Sequence, residues 1–210
     1  TKKIDAVRRC SSEGFHCNKI SIEKLKHFVS KDAFNIDGLG KKIVETFWKL
    51  KLIQFPQDIF NLDYSKIEKL DGWGKLSVEN LKYSINEKKN ISLERFIYAL
   101  GIRHIGLENA KLLSKYYKSF SNFKDLSKNH KYEDLINIDG IGETQVNSIK
   151  NFLSNKMNMK VLNELEKVII INNAIKNKKK GILKDKTFLV TGKLNGISRA
   201  EIKSLIEDHS

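Results

Sequence analysis

Residues 35–40 of this chain read Asn-Ile-Asp-Gly-Leu-Gly, and related hexapeptides occupy residues 69–74 and 137–142. Each contains an apolar residue, then Asp-Gly, a second apolar residue and a final glycine. A weaker fourth copy lies at residues 103–106, where His104 replaces the first glycine. The chain therefore contains an internal repeat, with spacings of 34, 32 and 36 residues between the final glycines Gly40, Gly74, Gly106 and Gly142.

The residues after each final glycine also repeat. Apolar side chains recur four and seven residues later, which is the spacing of the buried stripe of a helix that starts at the glycine. An apolar helical pattern also precedes each turn. We therefore predict that each unit is a helix, a tight Gly-x-Gly hairpin and a second helix. The predicted buried residues are Val44, Val78, Ala110, Val146, Phe47, Leu81, Leu113 and Ile149.

The residue types in these hairpins favour an anionic partner. Glycine permits a positive φ and close approach of the backbone, and the start of a helix offers unpaired N–H groups to a phosphate. Such contacts do not depend on base sequence. We therefore expect the hairpins to bind the phosphate backbone of duplex DNA along its minor groove, with a weaker contact at the third hairpin because of His104. On this basis Gly38→Val with Gly140→Val should weaken DNA binding without unfolding the helices. The candidate DNA-binding residues are Gly38, Gly40, Lys41, Lys42, Gly72, Gly74, Lys75, Arg103, Gly106, Gly140 and Gly142.

Hydrophobic periodicity outside the hairpins predicts a mostly α-helical protein. Residues 22–160 read as short helices, 161–166 as one more, and strand signals occur only at 168–171 and 187–190, separated by a basic linker. The other predicted helical faces contain Ile22, Leu25 and Phe28; Ile43, Phe47 and Leu50; Leu93, Phe96, Ile97 and Leu100; and Val146, Ile149 and Leu153.

Composition narrows the class of protein. The 210 residues carry a net charge of +14, which favours a polyanion such as nucleic acid. The longest apolar run, residues 96–102, is too short to span a membrane, so we expect a soluble protein. Cys10 and Cys17 are the two cysteines, too few for a disulfide framework, which favours the cytoplasm. The chain begins with Thr1 and stops within a predicted helix, so we expect it to be a piece of a longer protein.

The repeat is the helix-hairpin-helix motif, and the whole chain resembles the C-terminal half of bacterial NAD-dependent DNA ligases. Residues 25–30 leading into 36–40, and residues 95–103, carry the resemblance. It implies a tandem helix-hairpin-helix domain preceded by a four-cysteine zinc-finger module and followed by an α/β BRCT domain. The implied bounds are 1–21 for the end of the zinc module, 22–160 for the four helix-hairpin-helix units, 161–180 for a helix, strand and linker, and 181–210 for a truncated BRCT start.

The two flanking modules are incomplete in this chain. Cys10 and Cys17 correspond to the third and fourth zinc ligands of the family, and two thiolates do not complete a closed structural zinc site. Residues 186–192 and 198–206 correspond to the first strand and helix of a BRCT domain. Lys69-Leu70-Asp71-Gly72 matches the signature of the lysine that ligases adenylate. The repeat explains it better, because Asp71-Gly72 is in register with the other hairpins, and we assign no catalytic residue.

The resemblance implies a cytoplasmic, monomeric enzyme that joins nicks in duplex DNA during replication and repair. NAD and Mg²⁺ would bind outside this chain, which would be inactive alone and would clamp the nicked duplex. Membranes are not an expected partner. Two alternatives remain open: a stand-alone helix-hairpin-helix protein of DNA repair or recombination without ligase activity, and a protein-interaction module in which the repeats are only structural.

Overall fold

The structure, a computed structural model, describes Phe15 and residues 17–174, with Leu183 and residues 186–191, 196–197 and 199–208. These residues are mostly helical, as predicted. Residues Pro56–Asn61 and Tyr132–Asn137 form 3-10 helices. The α-helices are α1 (Asn18–Phe28), α2 (Lys41–Lys49), α3 (Tyr64–Ile67), α4 (Lys75–Glu87), α5 (Leu93–Ala99), α6 (Leu107–Tyr117), α7 (Phe120–Lys124), α8 (Leu126–Asn129), α9 (Glu143–Ser154), α10 (Lys156–Val168) and α11 (Arg199–Asp208).

The predicted repeat is present in the structure. Helices α2, α4, α6 and α9 each begin directly after the final glycine of a hairpin, and all eight apolar side chains predicted from the repeat are buried. The helix before the turn varies more than predicted, because unit two uses the four-residue α3 and unit four a 3-10 helix. Leu50, predicted to lie on the buried face of α2, follows the last residue of that helix and is 48% exposed.

Phenylalanine rings join the first unit to the third. Phe28 stacks on Phe34 with ring centroids 4.2 Å apart, and Phe34 meets Phe96 of α5 edge-on at 6.4 Å. All three rings are almost completely buried. Burial of one such side chain contributes about 1.5–3 kcal/mol, so this cluster holds the two units in one core.

Arg95 is a charged residue inside this core. Its Nε donates a hydrogen bond to the carbonyl oxygen of Ala33 at 2.9 Å, and its Nη2 donates to that of Lys31 at 3.1 Å. Its Nη1 lies 2.9 Å from Oε1 of Glu201 in α11. Buried charges persist only when they are paired and hydrogen-bonded. Arg95 therefore holds the chain ahead of the first hairpin against α5 and connects both to α11.

The strand predictions are partly wrong. Strand β2 (Ile170–Asn172) lies close to the predicted 168–171 and pairs in parallel with β1 (Asn90–Ser92), a partner too short to show a period-two pattern. Thr187–Val190 forms no strand, since among the described residues no ladder partner pairs with it. Leu189 there is 88% exposed. The helix predicted after it is confirmed as α11.

Helix α10 also begins earlier than predicted and packs on α9 and on the 3-10 helix at Pro56–Asn61. It therefore crosses residue 160, where the sequence suggested a domain limit. The predicted domain bounds otherwise stay predictions. In the part of the chain that the structure describes, none of the helices has the length and apolar character needed to cross a membrane.

Candidate nucleic-acid interface

The four hairpins share one backbone geometry at the residue two places before the final glycine. Its φ is +86° at Gly38, +78° at Gly72 and +89° at Gly140, and His104 adopts +63°. Histidine is among the non-glycine residues enriched in this left-handed region. The replacement of glycine by His104 therefore preserves the turn, and the prediction of a weaker phosphate contact at this hairpin remains untested.

The final glycine of each hairpin is the N-cap of the following helix. Gly40, Gly74, Gly106 and Gly142 all have extended backbone and cap α2, α4, α6 and α9. The first N–H groups of a helix have no partner within it, and the helix dipole places partial positive charge there. The fold therefore presents the same anion-accepting group four times.

Space around these N-caps is open. A Cβ atom built on Gly40, Gly74 or Gly106 would meet no atom within 4 Å, and one on Gly142 would lie 3.4 Å from Oε1 of Gln145. All four glycines are exposed. The space through which a phosphate would approach the backbone is therefore open at Gly40, Gly74 and Gly106.

Gly38 and Gly140 differ from the N-cap glycines in their packing. A Cβ on Gly38 would lie 3.3 Å from Cδ1 of Leu81 in α4, and one on Gly140 would lie 2.9 Å from Cδ1 of Leu112 in α6. These turns therefore pack against the neighbouring unit as well as bend the chain. Replacing both by valine would disturb packing and force a positive φ on a β-branched residue, so the sequence-based expectation that the helices stay intact does not fit this geometry.

Two N-caps already donate to side chains. The N–H of Gly74 donates to Oγ of Ser77 at 2.9 Å, and the N–H of Gly142 donates to Oε1 of Gln145 at 3.2 Å. Sequence reasoning missed both acceptors. Their position three residues after the cap, typical of a capping box, is the signal that would have found them. An anion at these hairpins would replace a side-chain acceptor.

The first turns of the helices after the first two hairpins carry more positive charge than those after the last two. Lys41, Lys42 and Lys75 are exposed in the first turns of α2 and α4, as predicted for residues that add positive charge. Arg103 is exposed at the third hairpin. The first turns of α6 and α9 instead contain carboxylates, namely Glu108 and Glu143. The first two hairpins are therefore the more favourable anion sites.

Helix α11 partly offsets the carboxylate at the third hairpin. Nζ of Lys203 lies 3.0 Å from Oε1 of Glu108, and this hydrogen bond lowers the pKa of Glu108. Both side chains are well exposed, so the pair adds little stability. The effect of the pair on charge is local. Glu108 occupies the position in α6 that Lys42 occupies in α2, and Lys203 of α11 places a positive charge beside it.

The predicted zinc ligands are only partly within the described residues. Cys10 lies outside them, and Cys17 is a half-buried free thiol at the N-cap of α1. Within the described ranges, no three His, Cys, Asp or Glu side chains lie close enough together to hold a metal ion. One thiolate cannot complete a closed zinc site, which needs four ligands, and the predicted zinc module stays a prediction.

Part of the chain is similar to a known class of DNA-binding motif. Residues 95–162, which contain the third and fourth hairpins, match the helix-hairpin-helix motif family. The same turn geometry, followed by the start of a helix, recurs at the first two hairpins.

The particular relatives are DNA ligases. All 210 residues align with a DNA ligase of Pelagibacter ubique at 68% identity. DNA ligases of Rickettsia rickettsii and Rickettsia canadensis align with 97% of the chain at 41% and 42% identity. The chain spans 31% of the length of each of these relatives. The resemblance inferred from the sequence is confirmed: the chain is similar throughout to one segment of DNA ligases.

Proposed function

We propose that this chain is the DNA-binding segment of an NAD-dependent DNA ligase and that it holds duplex DNA around a nick through backbone phosphates. One observation carries the proposal. Four left-handed turns each lead into an exposed helix N-terminus, and a Cβ on three of the four N-cap glycines would meet open space. A net charge of +14 and the similarity to DNA ligases along the whole chain support it.

The work of these residues is binding and orientation. Backbone N–H groups at Gly40, Gly74, Gly106 and Gly142 would contact phosphates, and Lys41, Lys42, Lys75 and Arg103 would add attraction that reads no bases. Holding the two ends of a nick in line contributes to rate because the reacting groups need no further ordering.

Catalysis would belong to other parts of the ligase. NAD would supply the adenylate and Mg²⁺ would assist its transfer, both bound outside this chain, which would be inactive alone. The proposal also includes a zinc module that contains Cys10 and Cys17 and a BRCT domain that contains α11. The ligase would be a cytoplasmic monomer that acts in replication and repair.

Fluorescence anisotropy with nicked and intact duplexes tests this function. We expect binding that is independent of base sequence and that weakens steeply between 50 and 200 mM salt, because each neutralised phosphate releases counterions (a loss of about 10³-fold or more for six contacts). Binding that is insensitive to salt would contradict phosphate contacts. A circular dichroism spectrum of the same sample distinguishes absence of binding from absence of folding.

A further inference from the structure

Leu76 is an exposed apolar residue beside the second hairpin. It is the second residue of α4, directly after Gly74 and Lys75, and 70% of its surface is exposed. The equivalent residues at the other hairpins are Lys42, Glu108 and Thr144, all polar. An apolar side chain therefore occupies a position that is polar in the other three units.

The orientation of α4 explains why Leu76 faces outward. Leu81 and Ile85 are buried, and Leu81 contacts the first hairpin at Gly38. At 100° per residue, Leu76 lies about 140° around the helix from Leu81. Its side chain therefore faces away from the core, at the end of α4 that carries the free N–H groups.

The surroundings of Leu76 favour a nucleic acid over an apolar protein partner. Space around the adjacent N-cap residue Gly74 is open, and Lys75 next to it is exposed and cationic. In a DNA strand, each phosphate is bonded to deoxyribose, whose carbons form the walls of the minor groove. An apolar side chain next to a phosphate contact is therefore within reach of sugar carbons, and leucine is among the apolar side chains that other proteins place in the minor groove.

We propose that Leu76 packs against deoxyribose in the minor groove when a phosphate occupies the second hairpin. This inference rests on the proposed function and adds an uncharged contact to it. Because no charge is involved, the contact changes affinity without changing its dependence on salt. The two kinds of contact at one hairpin can thus be separated by measurement.

The test compares single variants of the 210-residue chain, with binding to one nicked duplex measured at several salt concentrations. Leu76→Ala should weaken affinity about fivefold with the same slope of log K against log salt. Lys75→Ala should instead reduce the slope by about 0.9. Leu76→Met, which keeps an apolar side chain of similar size, should bind as the unaltered chain does.

Two controls show whether position matters. Leu50, which directly follows α2, is 48% exposed, and Tyr83, about 10 Å further along α4, is 69% exposed. Leu50→Ala and Tyr83→Ala should leave affinity unchanged. Equal losses for these variants, or unchanged affinity for Leu76→Ala, would overturn the inference. If Lys75→Ala and Gly74→Ala were also without effect, the proposed function would fail at this hairpin.

Discussion

A single methyl group added at Gly38 or at Gly40 separates folding from phosphate binding in the first hairpin. Gly38 has a φ of +86°, which costs an L-residue about 1–2 kcal/mol, and its new Cβ would press on Cδ1 of Leu81 at 3.3 Å. Gly40 has a φ of −65° and open space around it. Gly38→Ala should therefore destabilise the fold by about 1.5–2 kcal/mol, and Gly40→Ala by about 0.5 kcal/mol through the weaker cap.

DNA binding should show the opposite order. A methyl group on Gly40 occupies the space through which a phosphate approaches, and loss of one charged hydrogen bond of about 1.5 kcal/mol corresponds to roughly tenfold weaker binding. Gly38→Ala should bind nearly normally wherever it is folded. Urea denaturation followed by circular dichroism gives the stabilities, and anisotropy at 10 °C gives the affinities. Equal destabilisation by the two variants, or normal binding by Gly40→Ala, would refute the division of roles.

Three further predictions follow from particular contacts. Arg95→Met should cost about 3 kcal/mol of stability in a urea titration, because the carbonyl groups of Ala33 and Lys31 lose these donors and Glu201 keeps Lys88 but loses Arg95; a loss below 1 kcal/mol would contradict this role. Lys41→Ala and Lys42→Ala should each lower the salt slope of DNA binding by about 0.9, whereas Lys167→Ala on α10, paired with Glu164, should not change it. A hydrogen bond from Lys26 lowers the pKa of the Glu45 carboxyl. The stability from this pair is therefore complete above the pKa of about 4.3 that glutamate has in the unfolded chain, and it is lost as pH falls through the lower folded value. The Glu45→Gln variant should be less stable than the unaltered chain at neutral pH, and its stability should fall less on acidification. An equal fall in melting temperature on acidification for the two proteins would contradict a stabilising pair.

Local periodicity was sufficient to predict the repeat and its buried stripes. Val44 and Phe47, and their counterparts in the other three units, are buried because each unit repeats the same short-range pattern after its final glycine. The left-handed turns follow equally from Asp-Gly and Gly-x-Gly. The starts of α2, α4, α6 and α9 were therefore predictable to the residue.

Long-range contacts were not predictable in this way. The pairing of Asn90–Ser92 with Ile170–Asn172 joins residues 80 positions apart, and the contacts of Gly38 with Leu81 and of Gly140 with Leu112 depend on how units pack. Thr187–Val190 shows the converse: its composition favours a strand, but a strand needs a partner to supply its hydrogen bonds. Arg95 lies between Glu94 and the apolar run 96–102, and nothing local in the sequence indicates its buried contacts.

The most direct test of the phosphate contacts is the salt slope of DNA binding by the 210-residue chain on two unrelated duplex sequences. If each of the four hairpins contacts at least one phosphate, log K should fall with log salt at a slope of about −4 or steeper. The slope should be the same for both sequences, with affinities that agree within a few-fold. A slope near zero, or a large difference between the two sequences, would contradict the account.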